Sequence, residues 1–178
     1  MAFCSRRGKR RGIFSFRGAM VLNWSMLKRD QPQKPADKAP GASLSGYWSG
    51  AHTTHRLRFH LVWTPKYRKR VLEGAISVRV EELFRQACEV NDWQLHELNV
   101  QPDHVHLLIQ ISPRLALAKV VNQLKGGSSR ILRQEFPELE EFLWGRSFWC
   151  DGYFAESIGQ MEESVIRRYI KNQGQERP

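Results

Sequence analysis

The sequence predicts an α+β domain in which helices pack on an antiparallel sheet, in the order β-α-β-β-α-β-α. Three observations predict it. Short stretches that alternate polar with apolar residues, or run wholly apolar, recur between residues 56 and 158, with the length and period of strands. Longer stretches between and after them repeat their apolar positions at helical spacing, as amphipathic helices do. A Gln101-Pro102-Asp103 turn signal joins two of the strand-like stretches directly, which makes them an antiparallel hairpin.

Each element has its own local reason. Residues 56–63, Arg-Leu-Arg-Phe-His-Leu-Val-Trp, alternate and then become apolar, as a strand entering a core does. Pro65 ends that strand, and Lys66-Tyr67-Arg68-Lys69-Arg70 forms a basic connection. Residues 76–90 form a predicted helix because Val80, Leu83, Phe84, Ala87 and Cys88 share one face. Residues 93–100 alternate as Trp93, Leu95, Glu97, Asn99 against Gln94, His96, Leu98, Val100; neither phase is purely apolar, so the buried face of this strand stays open. After the turn, residues 104–111 form the next strand. A long helix covers residues 115–134, with Gly126-Gly127 as its weak point. Residues 148–158 read as a further strand, Gly159 interrupts, and residues 161–173 form the last helix. No internal repeat is evident. The whole is an α+β sandwich.

Composition bounds the rest. The chain has 178 residues, room for one domain and an extension, and 41% of them are hydrophobic, enough for a core. Its formal charge is +10, but residues 1–50 hold ten of the 28 Lys and Arg and only two of the 18 acidic residues. The remainder is close to balance, so a nucleic-acid reading must rest on motifs. Residues 1–50, rich in Pro, Gly, Ser and Lys with little periodicity, read as a basic, disordered extension. That extension is either a non-specific DNA-binding arm or an upstream-extended gene start, with Met20 and Met26 as internal starts; the second is the plainer expectation. Residues 51–178 form the predicted domain. Cys4, Cys88 and Cys150 have neither disulfide nor metal-ligand spacing, which suits the cytoplasm. No apolar run approaches the roughly 18 residues that span a bilayer, so no membrane association is expected.

Two motifs carry chemistry. His104-Val105-His106 puts two imidazoles on one face of a strand, roughly 6–7 Å apart, where their neutral nitrogens can converge on a divalent ion. Alone, such a pair is often just solvated or hydrogen-bonded. Tyr169 and Gln173 stand four apart on the last helix, hence about 6 Å from each other on one face. Alone, Tyr169 reads as a core-edge residue and Gln173 as an exposed one. Together the two motifs supply what phosphodiester cleavage by a tyrosine requires: an ion that polarises the phosphate, and a phenol in line with the breaking bond. Two imidazoles and one amide, with open positions for oxygen ligands, suit Mg²⁺ or Mn²⁺.

PDHVHLLI, QLKGGSSRIL, GYFAESIG and YIKNQ occur in this order, after an opening strand RLRFHLVWTPKYRKRVL. Over residues 55–175 the chain resembles the single-tyrosine HUH transposases, the insertion-sequence two-hundred-like family, which includes relatives associated with repetitive extragenic palindromes. The resemblance implies the HUH-nuclease architecture (RRM- or ferredoxin-like), with His104 and His106 as metal ligands, Gln173 as the third and Tyr169 as nucleophile. It also implies a homodimer acting on single-stranded DNA with hairpins near the element's ends, through a 5′-phosphotyrosine link that another strand's 3′-hydroxyl reseals. Tyr153, in GYFAESIG, is the rival nucleophile but has Ser157 four residues on and reads as structural; Asp103 reads as a turn residue. Lys125 and Arg130 could touch phosphate but read as exposed helix residues. The extension and the acidic run Glu138, Glu140, Glu141 depart from the expected pattern without touching these positions.

Three rival readings remain. A domesticated relative would process chromosomal palindromic repeats with the same chemistry. A non-catalytic hairpin-binding module would use the sheet and basic loops alone. A metal hydrolase, last in order, lacks an acidic ligand cluster near the histidines.

Overall fold

Alternation along the central strands is what builds this domain, because it gives one backbone two chemically different faces. The computed structural model describes residues 46–49, 52–141, 143, 147–159 and 162–173; apart from residues 46–49, the predicted extension lies outside them. A short ladder, β1 (Trp48–Ser49) with β2 (Thr54–His55), leads into the sheet and straddles the boundary expected at residue 50. The domain then runs β3 (Arg58–Trp63), α1 (Gly74–Val90), β4 (Gln94–Gln101), β5 (His104–Gln110), α2 (Leu117–Glu135), β6 (Phe154–Ile158) and α3 (Glu163–Asn172). This is the predicted order. The four strands lie as β4-β5-β3-β6 with every neighbouring pair antiparallel, and β4 and β5 form the predicted hairpin.

On β3 the odd residues, Phe59, Leu61 and Trp63, face the core. Their register partners on β5 are Ile109, Leu107 and Val105, which face it too. α1 covers this side with Val80, Leu83, Phe84, Ala87 and Cys88, and α2 with Val120, Val121, Leu124, Ile131 and Leu132. Arg79 clamps the two helices together, its guanidinium bonding both carboxylate oxygens of Glu135 at 2.7 and 2.8 Å and Glu82 at 2.8 Å. A bidentate pair of this kind fixes orientation as well as charge.

The open phase of β4 is settled by a bulge. Leu95 pairs with Ile109 and Glu97 with Leu108, leaving His96 as the extra residue. A bulge shifts the alternation by one, so Leu95 before it and Leu98 and Val100 after it all pack on the core. Neither sequence phase could do this alone.

The strand expected over 148–158 begins only at Phe154; before it, one antiparallel bridge joins Trp149 to Pro65, and further hydrogen bonds tie this segment to α2. The Ser129 hydroxyl accepts the Phe148 amide at 3.0 Å, and the Ser128 hydroxyl accepts the Trp149 indole N–H at 2.8 Å. The Lys125 ammonium donates to the carbonyls of Cys150, Asp151 (2.9 Å) and Gly152 (3.1 Å). The KGGSS stretch is therefore a dock for the chain entering β6, which corrects the expectation of Lys125 as a freely exposed helix residue. α2 passes unbroken through Gly126-Gly127; packing on the core offsets the roughly 1 kcal/mol that each helical glycine costs.

Candidate active site

The even residues of the same strands make the other face of the sheet. β3 contributes Arg58, His60 and Val62, and β5 contributes His104, His106, Leu108 and Gln110. Beyond the bulge, β4 adds Asn99 and Gln101, the register partners of His106 and His104. α3 lies over this face of its own chain. Ile166 and Ile170 pack on Leu108 and Ile158 in a second, small apolar cluster. The predicted helix over 161–173 thus holds to the sheet through Ile166 and Ile170, while Val165 beside them is exposed.

Polar contacts fix the register of α3. At its start Glu163 accepts from Arg56, Arg58 and Arg167. Burial works to raise the Glu163 carboxyl, but the bond from Arg167, the charge of Arg58 and the bond from Arg56 outweigh it and hold it below its ordinary value. Arg167 also reaches His96 at 3.0 Å and Glu97 at 3.5 Å. Arg58 donates to Gln110 at 2.8 Å and to the Gly46 carbonyl at 3.4 Å. Gly46 has φ +85°, which favours glycine, and a Cβ there would lie 2.3 Å from the Arg58 guanidinium, so a side chain would displace the arginine. At the far end Asn99 donates to the Ile170 carbonyl at 2.8 Å, and Gln101 to the Gln173 carbonyl at 2.7 Å.

This docking brings Tyr169 to the histidines. Its ring stands 5.8 Å from that of His106 at 84° and 6.4 Å from that of His60 at 81°, with the residue half exposed. The His104 and His106 rings are 4.9 Å apart. Gln173 is not inside the helix, as its spacing from Tyr169 supposed, but caps it in extended conformation. Its backbone is tied to Gln101, the strand partner of His104, so it too arrives at this end of the sheet. Tyr153 does not share the cluster of rings around His106; it precedes β6 and lies under the Lys125 ammonium, 6.0 Å from the ring centre.

The hydrogen bonds around the two histidines decide which nitrogens are free. His104 engages Asp103 through Nδ1 at 2.7 Å, and His106 engages His60 through Nδ1 at 3.0 Å. Asp103, expected only as a turn residue, is thus also the partner of His104. In both rings Nε2 is left over, and that of His106 is buried with no hydrogen-bond partner. A buried polar atom without a partner is costly unless something fills it. Burial, then the charges of His104 and His60, push the His106 imidazole down to about 4; burial likewise lowers His60 against the opposing charge of Glu156. Neutral rings with Nδ1 engaged and Nε2 free are the form in which histidine binds a divalent cation. Among the described residues no group of three His, Cys, Asp or Glu side chains can hold a metal ion, so a site here would be completed by an amide or by substrate oxygens.

His60 was missed in the sequence. Its signal was present: it is the polar member of Phe59-His60-Leu61, pointing away from a core that takes both neighbours. Glu163 and Asn99, which seat the helix, carry no local pattern that would single them out.

The family model described as "Transposase IS200 like" matches residues 53–173. The ISDra2 transposase TnpA of Deinococcus radiodurans is 33% identical over 124 residues, covering 70% of this chain and 89% of that one. The transposase for insertion sequence element IS200 of Salmonella typhimurium is 33% identical over 126 residues, covering 71% and 82% respectively. A candidate transposase from Deinococcus radiodurans R1, solved by crystallography, superposes with a TM-score of 0.59 at 32% identity, covering 70% of this chain and 96% of that one. A REP-associated tyrosine transposase bound to a REP hairpin gives 0.50 at 9% identity, covering 66% of each chain, a likeness of fold alone.

Proposed function

The chain belongs to the IS200-like transposase family, and on that premise we propose that it cleaves and rejoins single-stranded DNA at hairpin-marked ends through Tyr169. Membership carries DNA cleavage and strand transfer in general. The single-tyrosine chemistry rests on one observation: the Tyr169 ring stands 5.8 Å from His106, whose unpartnered buried Nε2 belongs to the same cluster of rings.

In the proposed reaction the Tyr169 oxygen attacks a backbone phosphorus. The new bond is Tyr169 O–P, the bond broken is P–O3′, and the departing oxygen takes up a proton to become a free 3′-hydroxyl. A 3′-hydroxyl of another strand then attacks the 5′-phosphotyrosine, restoring P–O3′ and releasing the phenol. One phosphate ester replaces another, so no nucleotide is consumed. His104 and His106, with Gln173 as third ligand, would hold Mg²⁺ or Mn²⁺, which when bound supplies charge to the phosphate oxygens. Asp103 orients His104, while Ile166, Ile170, Asn99 and Gln101 hold the tyrosine helix over the sheet.

Residues 51–178 are the catalytic domain in this reading, working as a homodimer in the cytoplasm. No helix among the described residues is long and apolar enough to cross a membrane. The hairpin carried by the REP-associated neighbour is the model for the DNA partner. The test is incubation with hairpin-bearing oligonucleotides in Mn²⁺, Mg²⁺ or chelator. A denaturant-resistant adduct that forms with metal and is absent with chelator supports the proposal. Tight hairpin binding with no adduct under any metal would point instead to a binding-only module.

A further inference from the structure

His60 has been given no role above, yet it is hydrogen-bonded to His106. It is 5% exposed. Its ring is within 11° of parallel to that of His106, with centroids 5.3 Å apart, and its Nε2 meets His106 Nδ1 at 3.0 Å. One proton lies between two ring nitrogens, and where it sits sets the state of the rest of each ring. If His60 donates it, neutral His106 must carry its own proton on Nε2 and presents no lone pair there. If His60 accepts it, His106 Nε2 is a lone pair. His60 Nδ1 is likewise buried without a partner, so each arrangement leaves one nitrogen of each ring without a protein partner. Only the second makes His106 Nε2 a lone pair, which a cation can satisfy, with the proton of His60 on Nδ1.

We propose that His60 is a positioning residue: by accepting the Nδ1 proton of His106 it fixes that ring's tautomer and orientation and so presents Nε2 to the divalent ion. The inference rests on the metal site proposed above. His104 has the matching arrangement from Asp103, so each histidine is set by a different partner: a carboxylate on the turn, and an imidazole on the neighbouring strand. Such outer partners affect metal affinity by about 10- to 100-fold.

The experiment is Mn²⁺ titration of the full chain without DNA, by calorimetry, on wild type and three variants, each first checked by thermal unfolding. His106→Ala tests the site itself, and Mn²⁺ affinity unchanged in it would overturn site and inference together. With binding lost in His106→Ala, His60→Leu is expected to weaken Mn²⁺ by about 10-fold or more. His60→Gln, whose carbonyl oxygen stands three bonds beyond Cβ like Nε2 of histidine, is expected to stay within a few-fold of wild type. A folded His60→Leu that binds Mn²⁺ as wild type does, or a His60→Gln that loses as much as His60→Leu, would overturn the positioning role while leaving the site intact. A simple packing role would follow side-chain volume, not the presence of an acceptor.

Discussion

The two faces of one sheet differ sharply in chemistry. Toward α1 and α2, β3 and β5 present Phe59, Leu61, Trp63, Val105, Leu107 and Ile109. Toward α3 they present Arg58, His60, His104, His106 and Gln110, with Val62 and Leu108 as the apolar members. Both faces come from the same residues taken alternately. The face under α1 and α2 supplies stability through burial; the face under α3 is rich in groups that are costly to bury and is held by ion pairs and hydrogen bonds. Under the proposed function, stability and chemistry separate by parity along β3 and β5.

The comparison would be broken most severely on the apolar side. Phe84 is fully buried and packs edge-on against Trp63. Phe84→Ala is expected to cost about 3–5 kcal/mol in urea unfolding. A cost under about 1 kcal/mol would mean that this face is not the stabilising one.

The next effect concerns the seating of α3. Glu163→Ala leaves Arg56 and Arg58 buried beside no carboxylate, a loss of about 3 kcal/mol in the attachment of this helix. It should appear as faster proteolysis and hydrogen exchange in residues 163–172, with exchange in α1 and α2 unchanged. Acid should do the same. Glu163 is held below its ordinary value, so its contribution is complete above the unfolded carboxylate range and disappears as pH falls through the lower folded value. His96 adds in the same direction. Burial first, then Arg58, pushes it down to about 4, so between the ordinary value of 6.5 and about 4 the released state takes a proton that the docked state refuses. Helix protection that is flat from pH 7 to 4 would contradict this account.

Smaller still is the dock for β6. Ser128→Ala strands the buried Trp149 indole N–H and should cost about 1–3 kcal/mol, read as a drop in unfolding temperature. Lys125→Met tests the other half of the dock; its effect should fall on stability, with DNA affinity at constant salt unchanged, if Lys125 is committed to carbonyls.

Much of this was legible in the sequence because alternation and helical periodicity are local. They predict the seven-element order and place His104, His106 and Tyr169 on elements that the fold does bring together. Three features were not legible, each for a physical reason. The bulge at His96 mixes two phases that look like ambiguity until the pairing with β5 is known. The segment before β6 reads as strand by composition, but among the described residues it keeps only one antiparallel bridge, Trp149 with Pro65 just after β3, and further hydrogen bonds go to Ser128, Ser129 and Lys125. His60 meets His106 only through strand pairing between residues 46 positions apart, and no spacing rule reaches that far.

The central claim is that the phenol of Tyr169 attacks DNA, and the most direct measurement is a denaturing gel of adducts on labelled hairpin oligonucleotides with Mn²⁺. Tyr169→Phe removes one oxygen and leaves the ring against His106 and His60; Tyr153→Phe removes the rival oxygen. The account predicts an adduct in wild type and Tyr153→Phe and none in Tyr169→Phe. An adduct that persists in Tyr169→Phe and vanishes in Tyr153→Phe would contradict it.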